Sequence, residues 1–233
     1  MSLAFLDPKR AAGPARSPML DVAPGAVGDV RVGWETIISF GDVEAERQAC
    51  LDSVGFADLS HLTKLELQGP AESLAGLCDA TEMGSAVEID AGWYCPVAPD
   101  RALVLGQAAG GLVLHPDRFE RGGARVCDLT AALAALAVVG PGARELFARF
   151  CALDLRECSL PVGGFRPGSI MRTPGYVLRE DRDRFLMLFG AAYAQYAWEV
   201  VADAAASLGG RPVGLDALVS GEAPGTQEEQ ARA

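Results

Sequence analysis

One pattern of residues occurs twice in this chain and constrains its fold more than any other feature. Each copy begins with Asp-Leu and a hydroxyl residue, at Asp58 and at Asp128, and runs through apolar residues to a Gly-Pro pair, at Gly69 and Gly140. A helical pattern follows each pair, and proline suits the first turn of a helix, where its missing N–H is not needed. Each copy therefore predicts a strand, a turn and a helix. Two units are too few for a solenoid of stacked repeats, so two halves of one pseudo-symmetric domain explain the pattern better.

The first copy also predicts how its strand faces. Leu65 and Leu67 alternate with Lys64, Glu66 and Gln68. This period of two is typical of a strand with one buried and one wet face. We therefore expect the two leucines inside and the three polar side chains in water.

Composition excludes some classes of function. The chain has 233 residues, 50% of them hydrophobic, enough for one large domain or two small ones. Its net charge is −11, with 31 acidic against 20 basic residues, whereas a nucleic-acid surface needs clustered Lys and Arg. The sequence has no apolar run of transmembrane length and no apolar core of a signal peptide at its N-terminus. We expect a cytoplasmic protein with no nucleic-acid or membrane partner.

The six cysteines are scattered in apolar surroundings without a Cys-x-x-Cys pair, and only His61 and His115 accompany them. Zinc sites need cysteine and histidine ligands at short, regular spacings. We therefore expect buried, reduced thiols and no metal site.

The chain divides into three parts by composition. Residues 1–29 are rich in Pro, Ala and Gly and are expected to be irregular, residues 30–218 to form the folded domain, and the polar residues 219–233 to be a disordered tail. Strand and helix patterns interleave in the domain without a regular βαβ alternation. This predicts an α+β fold with an antiparallel or mixed sheet.

Turn and capping residues predict further elements of the domain. Asp42 suits the N-cap of a helix that runs to about Asp52. The turn APDR is expected to join two strands, and YVLREDRDRFLMLFG to form a hairpin with a solvated tip at residues 179–184. A last helix is expected from Ala191 until Gly209-Gly210 stops it.

Several of these stretches together resemble one protein family. VGFADLSHLTKLELQGPAES and SPMLDVAPGAVGDVRVGWETIISFGDVEAE resemble the folate-binding domain of the glycine cleavage T-protein, an aminomethyltransferase. APDRALVLG, VCDLTAALAALAVVGPGARELFARFCALDLRE and AAYAQYAWEVVADAAASLGG look, in order and spacing, like the gamma subunit of heterotetrameric sarcosine oxidase, a single-module relative. The likeness runs from Ser17 to Leu218.

The resemblance implies a particular α+β architecture. The superfamily's domain has two similar halves around a central site, built from antiparallel and mixed sheets. The two repeat units, near residues 56–80 and 126–155, would be the pseudo-symmetric partners that line that site.

The resemblance also suggests a catalytic residue. In T-proteins an aspartate assists transfer of the aminomethyl carbon to tetrahydrofolate, and counting back from the turn Asp100-Arg101 places Asp90 at the first residue of that Asp-Asp pair and Ala91 at the second. A carboxylate there could orient the nucleophilic nitrogen and stabilise an iminium-like carbon. The alternative is that Asp90 is a turn residue before Gly92.

Three residues are candidates for binding the folate cofactor. Tyr176 stands where T-proteins have Gly-Tyr-Thr-Gly-Glu, whose Tyr and Glu contact the pterin, but Arg179 here takes the place of that Glu and Glu180 comes one residue late. A carboxylate out of register would weaken pterin recognition. Arg172 and His61 are the other two candidates, with a surface charge and a hydrogen-bonded structural residue as their alternatives.

The resemblance leaves three functions open. The stretch PVGLDALVSGE lacks the Arg-Asp and Leu-Arg with which T-proteins lead into a further barrel that covers the folate. We therefore expect a sarcosine oxidase gamma-like subunit, or partner, of a larger flavin-dependent amine demethylase, with the flavin on the partner chain. The alternatives are a stand-alone tetrahydrofolate-dependent aminomethyl- or methyltransferase, as a monomer or homo-oligomer, and a scaffold that has lost the folate site.

Overall fold

The structure is a computed structural model and describes residues 13–75, 77, 82–89, 92–106, 120 and 123–218. Its helices are α1 (Val43–Asp52), α2 (Ala71–Ala75), α3 (Ala143–Ala148), α4 (Ala194–Ala206) and α5 (Leu215–Leu218), and a 3₁₀ turn (Ala191–Tyr193) precedes α4. Its strands are β1 (Ala15–Arg16), β2 (Val27–Arg31), β3 (Trp34–Ser39), β4 (Gly55–Asp58), β5 (Lys64–Gln68), β6 (Val87–Ile89), β7 (Gly92–Ala98), β8 (Arg101–Gly106), β9 (Arg125–Asp128), β10 (Leu133–Val139), β11 (Phe165–Ile170), β12 (Thr173–Asp181), β13 (Arg184–Gly190) and β14 (Arg211–Pro212).

The strands form three sheets. The largest has six strands in the order β11-β12-β13-β10-β4-β14, and the second has five in the order β6-β7-β8-β5-β9. Strands β1, β3 and β2 make a small third sheet near the N-terminus. Most neighbours are antiparallel, while β14 lies parallel to β4 and β1 parallel to β3. The predicted α+β class with antiparallel and mixed sheets is confirmed.

The two repeat units link the large sheets in opposite directions. The first starts in the six-stranded sheet with β4 and crosses to the five-stranded sheet with β5, whereas the second starts with β9 and crosses back with β10. Strand β4 pairs with β10 and β5 with β9, both antiparallel. The registers match, since Asp58 lies opposite Leu136 and Asp128 lies opposite Leu65. The sequence repeat is thus the pseudo-two-fold centre of the domain.

The Asp-Leu-hydroxyl motif makes the turn at each crossing. The N–H of Ser60 donates to Asp58 Oδ1 at 2.9 Å, and the N–H of Thr130 donates to Asp128 Oδ1 at 2.8 Å. A side-chain carboxylate that accepts from the backbone two residues later replaces a backbone turn bond. Both copies need Asp and the hydroxyl residue for this local reason.

The hydroxyl of each turn then braces the other copy. Ser60 Oγ accepts from the N–H of Ala135 at 3.2 Å, and Thr130 Oγ1 accepts from the N–H of Lys64 at 3.1 Å. Each repeat therefore supplies a hydrogen bond to the first residues of its partner's crossing strand. This reciprocity is the physical reason why the motif occurs twice.

Helices cover the outer faces of the two large sheets, which pack against each other. The core between the sheets, here called the inter-sheet core, is built of the buried residues Leu59, Leu62, Ala86, Cys95, Leu103, Leu105, Ala135, Ala137, Phe165, Leu178, Leu186, Leu188 and Leu215. Helix α4 buries Trp198 and Val201 against the outer face of the six-stranded sheet, where Trp198 lies 4.9 Å from the Phe56 ring. Helix α2 covers the outer face of the five-stranded sheet with Leu74.

The segment expected to be irregular at the N-terminus is structured over residues 13–29. It contains β1 and the start of β2. Met19 is fully buried and packs against the outer face of the six-stranded sheet. The Ser17 hydroxyl donates a short hydrogen bond to Asp58 Oδ2. The Pro and Gly content predicted irregularity, but burial of Met19 and the bond to Asp58 hold this part of the segment in place.

Two predictions about polar side chains were wrong. Lys64 was expected in water and is fully buried, because its face of β5 turns towards the six-stranded sheet. Arg179 was placed in a solvated hairpin tip and is only 1% exposed. Alternation alone shows which residues share a face and not which face meets water.

Most local predictions were correct. Asp42 caps α1, and its Oδ1 accepts from the N–H of Ala45 at 3.0 Å. The helix runs to Asp52, as predicted, with Ser53 as its C-cap, and Gly55 begins β4. The APDR turn joins β7 to β8, but the segment predicted as two strands has a third, β6, before it. The tail, residues 219–233, lies outside the described residues.

Candidate functional site

The predicted site residues lie in different parts of the fold. Asp90 is outside the described residues. Tyr176 lies on β12, His61 in the turn between β4 and β5, and Arg172 in the turn between β11 and β12.

Tyr176 is half-buried at the margin of the inter-sheet core. Its ring stacks on Phe165 of the neighbouring strand, with the centroids 5.4 Å apart and the planes 9° from parallel. Among the described residues its hydroxyl has no hydrogen-bond partner. A phenol with its body packed and its polar end free suits a ligand that offers both a flat surface and an acceptor or donor.

Glu180 lies on the same side of β12 as Tyr176. A β-bulge interrupts the pairing of β12 with β13 between Arg179 and Asp181, and Glu180 is the extra residue. Its carboxylate accepts from Arg184 Nε at 3.0 Å. Its charge also reaches the five-stranded sheet. Burial raises the pKa of the Cys95 thiol on β7, and the negative charge of Glu180 raises it further. A carboxylate that looks one residue late in the sequence therefore reaches the inter-sheet side.

Arg179 points the other way. Its guanidinium lies 5.7 Å from the centroid of Phe185, whose ring packs on the outer face of the six-stranded sheet. It donates to three backbone carbonyls, those of Leu160 at 3.0 Å, Asp181 at 3.3 Å and Arg182 at 2.8 Å. Arg179 is thus a structural cation that holds the hairpin tip and the preceding loop together.

His61 is buried at the first crossing, with 8% of its surface exposed. Its Nδ1 has no hydrogen-bond partner among the described residues. Burial lowers the pKa of the imidazole, the Asp58 carboxylate opposes that shift and Lys64 adds to it. His61 is therefore a neutral imidazole near pH 7, and its Nδ1 is a buried polar atom left unsatisfied by the described residues.

Lys64 is a buried basic residue at this crossing, although its sequence pattern predicted that it faces solvent. Its Nζ donates to the carbonyls of Ser60 at 2.8 Å, Leu62 at 2.9 Å and Thr130 at 3.2 Å. Burial lowers the pKa of the ammonium group to about 7, although the carboxylates of Asp58 and Asp128 oppose the shift. The side chain ties the two turns together through backbone oxygens, and the signal for it was a lysine directly after the turn.

Arg172 lies on the opposite side of the six-stranded sheet from Tyr176. It lines an open groove with Tyr196 and Val200 of α4, the helix on the outer face of that sheet. Tyr176 instead packs against the inter-sheet core. The structure therefore does not bring these two predicted cofactor contacts together.

Two wider observations concern the described part of the chain. It gathers no group of three or more His, Cys, Asp or Glu side chains in an arrangement that could hold a metal ion. It also has no helix that combines the length and the apolar character needed to cross a membrane.

Comparisons with known proteins give sequence relatives of one kind. No protein-family model matches the chain. The chain is 26% identical to an aminomethyltransferase of Bacillus mycoides, and the match covers 87% of this chain and 61% of that protein. The aminomethyltransferase of Saccharopolyspora erythraea is 24% identical with the same coverage. The chain therefore spans less than two thirds of the length of these relatives.

Solved structures share the fold. The glycine cleavage system aminomethyltransferase T of Bartonella henselae matches with a TM-score of 0.67 and 18% identity, over 87% of this chain and 60% of that one. A chain of the heterotetrameric sarcosine oxidase of a Corynebacterium species matches with a TM-score of 0.60 and 19% identity, over 71% of this chain and 92% of that one. The predicted resemblance is confirmed as a sequence similarity to aminomethyltransferases and as a fold shared with both solved proteins.

Proposed function

We propose that this chain, which has the fold of aminomethyltransferases and of a sarcosine oxidase chain, is a folate-related module of one-carbon metabolism. In this proposal it works as a sarcosine oxidase gamma-like subunit, or partner, of a flavin-dependent amine demethylase, and the flavin is on the partner chain. The observation that carries the proposal is the orientation of Arg179, since the residue aligned with the pterin-binding glutamate is locked into the outer face of the sheet. A self-sufficient transferase site would need its carboxylate in that place.

The inter-sheet side still fits a reduced folate in part. Tyr176 offers a hydroxyl that bonds to no other described residue, beside an aromatic stack, and Glu180 offers a carboxylate on the same side, held by Arg184. These two side chains would hold the pterin, and bound tetrahydrofolate would supply the nitrogen that accepts a one-carbon unit. Packing against Phe165 fixes the Tyr176 ring, and the Arg184 ion pair fixes Glu180, so both groups are pre-oriented. Asp90 remains the proposed carboxylate beside the reacting nitrogen.

The assembly is tested by purifying the chain, tagged at its C-terminus, from its own host. We expect a flavin-containing protein to co-purify in a fixed ratio, and the pair to demethylate an N-methyl amino acid with reduction of the flavin. A single species without flavin absorbance, active alone in transferring an aminomethyl group, would contradict the subunit proposal.

The second candidate is a stand-alone tetrahydrofolate-dependent aminomethyl- or methyltransferase. It is favoured by the sequence relatives, which are aminomethyltransferases. It predicts that Asp90→Asn abolishes folate-dependent turnover and leaves the melting temperature unchanged. Unchanged turnover would remove Asp90 from the mechanism.

The third candidate is a scaffold without a ligand. The position of Arg179 also allows it, because a buried structural cation has replaced a ligand contact. In that case the folded protein binds no reduced folate, and Tyr176→Phe changes only stability.

A further inference from the structure

The groove that contains Arg172 combines two cations with an apolar floor. Its rim carries Arg149, Arg172 and Tyr196, and its floor is formed by Phe150, Met171 and Val200. Its volume is about 420 Å³, within the range of small-molecule sites, which are mostly apolar with a few placed polar groups. We refer to it as the Arg172 groove.

The charge of the groove is opposite to that of the protein. The chain has a net charge of −11, yet the only charged side chains that line the groove within the described residues are the two arginines. Arg149 makes one exposed ion pair, with Glu145 at 3.6 Å. Arg172 is exposed and has no ion pair or hydrogen bond with any described residue. A guanidinium free to make paired hydrogen bonds is suited to a carboxylate.

The turn that presents Arg172 is strained. Met171 has φ +52° and Arg172 has φ +61°, a left-handed conformation that costs side-chain-bearing residues free energy and usually falls to Asn or Gly in tight hairpins. The groove wall holds it, since the N–H of Met171 donates to the Phe150 carbonyl at 2.9 Å. Thr173 adds a second constraint by donating its hydroxyl to the Ile170 carbonyl at 2.9 Å. Strain that is held in place by its surroundings often marks a ligand contact.

Tyr196 supplies the third feature. It lies on α4, and 44% of its surface is exposed although it is large and aromatic. Its hydroxyl bonds to no described residue, and its ring borders the apolar floor. An exposed tyrosine beside an arginine that has no partner among the described residues is typical of a binding surface.

From these features we propose that the Arg172 groove binds a small-molecule carboxylate with an apolar or aromatic body. Arg172 and Arg149 hold the carboxylate, and the body lies on Phe150 and Val200 beside the Tyr196 ring. The site lies on the opposite side of the six-stranded sheet from Tyr176, so it is separate from the proposed folate contacts and does not depend on them.

The test is an NMR titration of the isotope-labelled full chain with N-benzoylglycine as the probe. We expect saturable shifts of the backbone amides of residues 149–152, 171–172 and 196–200, with a Kd on the order of 1 mM, as the small size of the probe allows. The neutral amide of the probe, which keeps the body, and inorganic phosphate, which keeps only the charge, should each bind at least about tenfold more weakly.

Three variants locate the charge. Arg172→Gln should weaken binding at least about tenfold, and Arg172→Lys should recover part of it. Arg182→Gln is the control, because Arg182 is 84% exposed beyond the far end of β12, and this variant should bind the probe normally.

Arg172→Gly separates binding from folding. Glycine tolerates a positive φ, so this variant should raise Tm by about 2–4 °C while it loses the probe. The proposal is overturned if the probe shifts no groove amide at about 10 mM, if the neutral amide or phosphate binds equally well, or if Arg172→Gly binds normally. Shifts confined to residues 176–180 would also overturn it and would leave the folate proposal standing.

Discussion

The two crossing turns make the same hydrogen bonds to the backbone but differ in the side chains that they bury. Both use an aspartate that accepts from the residue two positions on, and both use a hydroxyl that braces the other copy. In the first copy Asp58 is 1% exposed and also accepts from the Ser17 hydroxyl, whereas Asp128 in the second copy is exposed. His61 corresponds to Ala131 when both are counted from the aspartates. Lys64 corresponds to Ala135 in the strand registers, where the next residues, Leu65 and Leu136, each lie opposite the aspartate of the other copy.

Comparing the two copies shows which hydrogen bonds the turns share and which buried side chains only the first copy has. The turn bond and the brace themselves need only Asp and a hydroxyl residue, since Asp128 and Thr130 form them in the second copy, and the bond to the Thr130 carbonyl is supplied by Lys64 of the first copy. Burying Lys64 and His61 costs free energy that an alanine would avoid. The first crossing is therefore the half of the domain that carries the cost of a buried cation and a buried imidazole.

The largest expected difference between the turns comes from their aspartates. Asp58→Ala leaves the Ser17 hydroxyl and the Ser60 N–H buried without their acceptor, and should lower the free energy of unfolding by about 2–4 kcal/mol. Asp128→Ala removes an acceptor that water replaces, and should cost less than about 1 kcal/mol. Urea unfolding of both variants measures the two losses in the free energy of unfolding. Equal losses would contradict the asymmetry.

A second difference appears as a function of pH. In the folded protein the pKa of Lys64 is about 7, below the value of an unfolded lysine. Between these values the unfolded chain binds the extra proton, so Lys64 should contribute a rise in the free energy of unfolding with pH, of about 2 kcal/mol from pH 7 to pH 9. Below pH 7 Lys64 is charged in the folded protein, and the free energy of unfolding is lowered by the full cost of burying that charge.

Lys64→Met tests the assignment of that rise. Methionine does not titrate, so the rise in stability from pH 7 to pH 9 should disappear, and Ala135→Ser, at the corresponding position of the second copy, should keep it. The measured quantity is the difference between the parent and Lys64→Met at each pH, because the thiols of Cys50, Cys95 and Cys151, whose pKa burial raises, lower the free energy of unfolding of both proteins as unfolded thiols ionise. A Lys64→Met protein with the parent's pH dependence would show that another group causes it.

The smallest predicted effects concern the braces. Ser60→Ala removes the acceptor for the Ala135 N–H, and Thr130→Ala removes the acceptor for the Lys64 N–H. Each should cost about 1 kcal/mol, with Ser60→Ala the larger because Ser60 is buried. The double variant should show the sum if the two braces act independently. A much larger loss would mean that they hold the crossing as one unit.

The sequence could predict the repeat but not how its parts exchange sheets. Gly-Pro, Asp42 and the alternation in β5 are local signals, and the elements they predicted are present. Which face of β5 is buried depends on the six-stranded sheet, whose strands come from distant parts of the chain, so the burial of Lys64 was beyond a local pattern.

The candidate site shows the same limit. Tyr176 was proposed from its motif, and the period of two along β12 already places Glu180 on the side of Tyr176 and Arg179 on the other. The β-bulge at Glu180 is a property of pairing with β13 and has no signal in the letters of β12 alone. Arg172 was grouped with Tyr176 because they are close in sequence. The turn before β12 places it on the other face, at the helix α4.

The central claim is that the inter-sheet side at Tyr176 takes part in reduced-folate chemistry, and a calorimetric titration with 5-formyltetrahydrofolate tests it most directly. We predict saturable binding that Tyr176→Phe weakens by about threefold to tenfold, the value of one hydrogen bond, while Tyr193→Phe, at an exposed tyrosine before α4, leaves it unchanged. Absence of binding by the folded protein, or binding that Tyr176→Phe does not weaken, would contradict the claim.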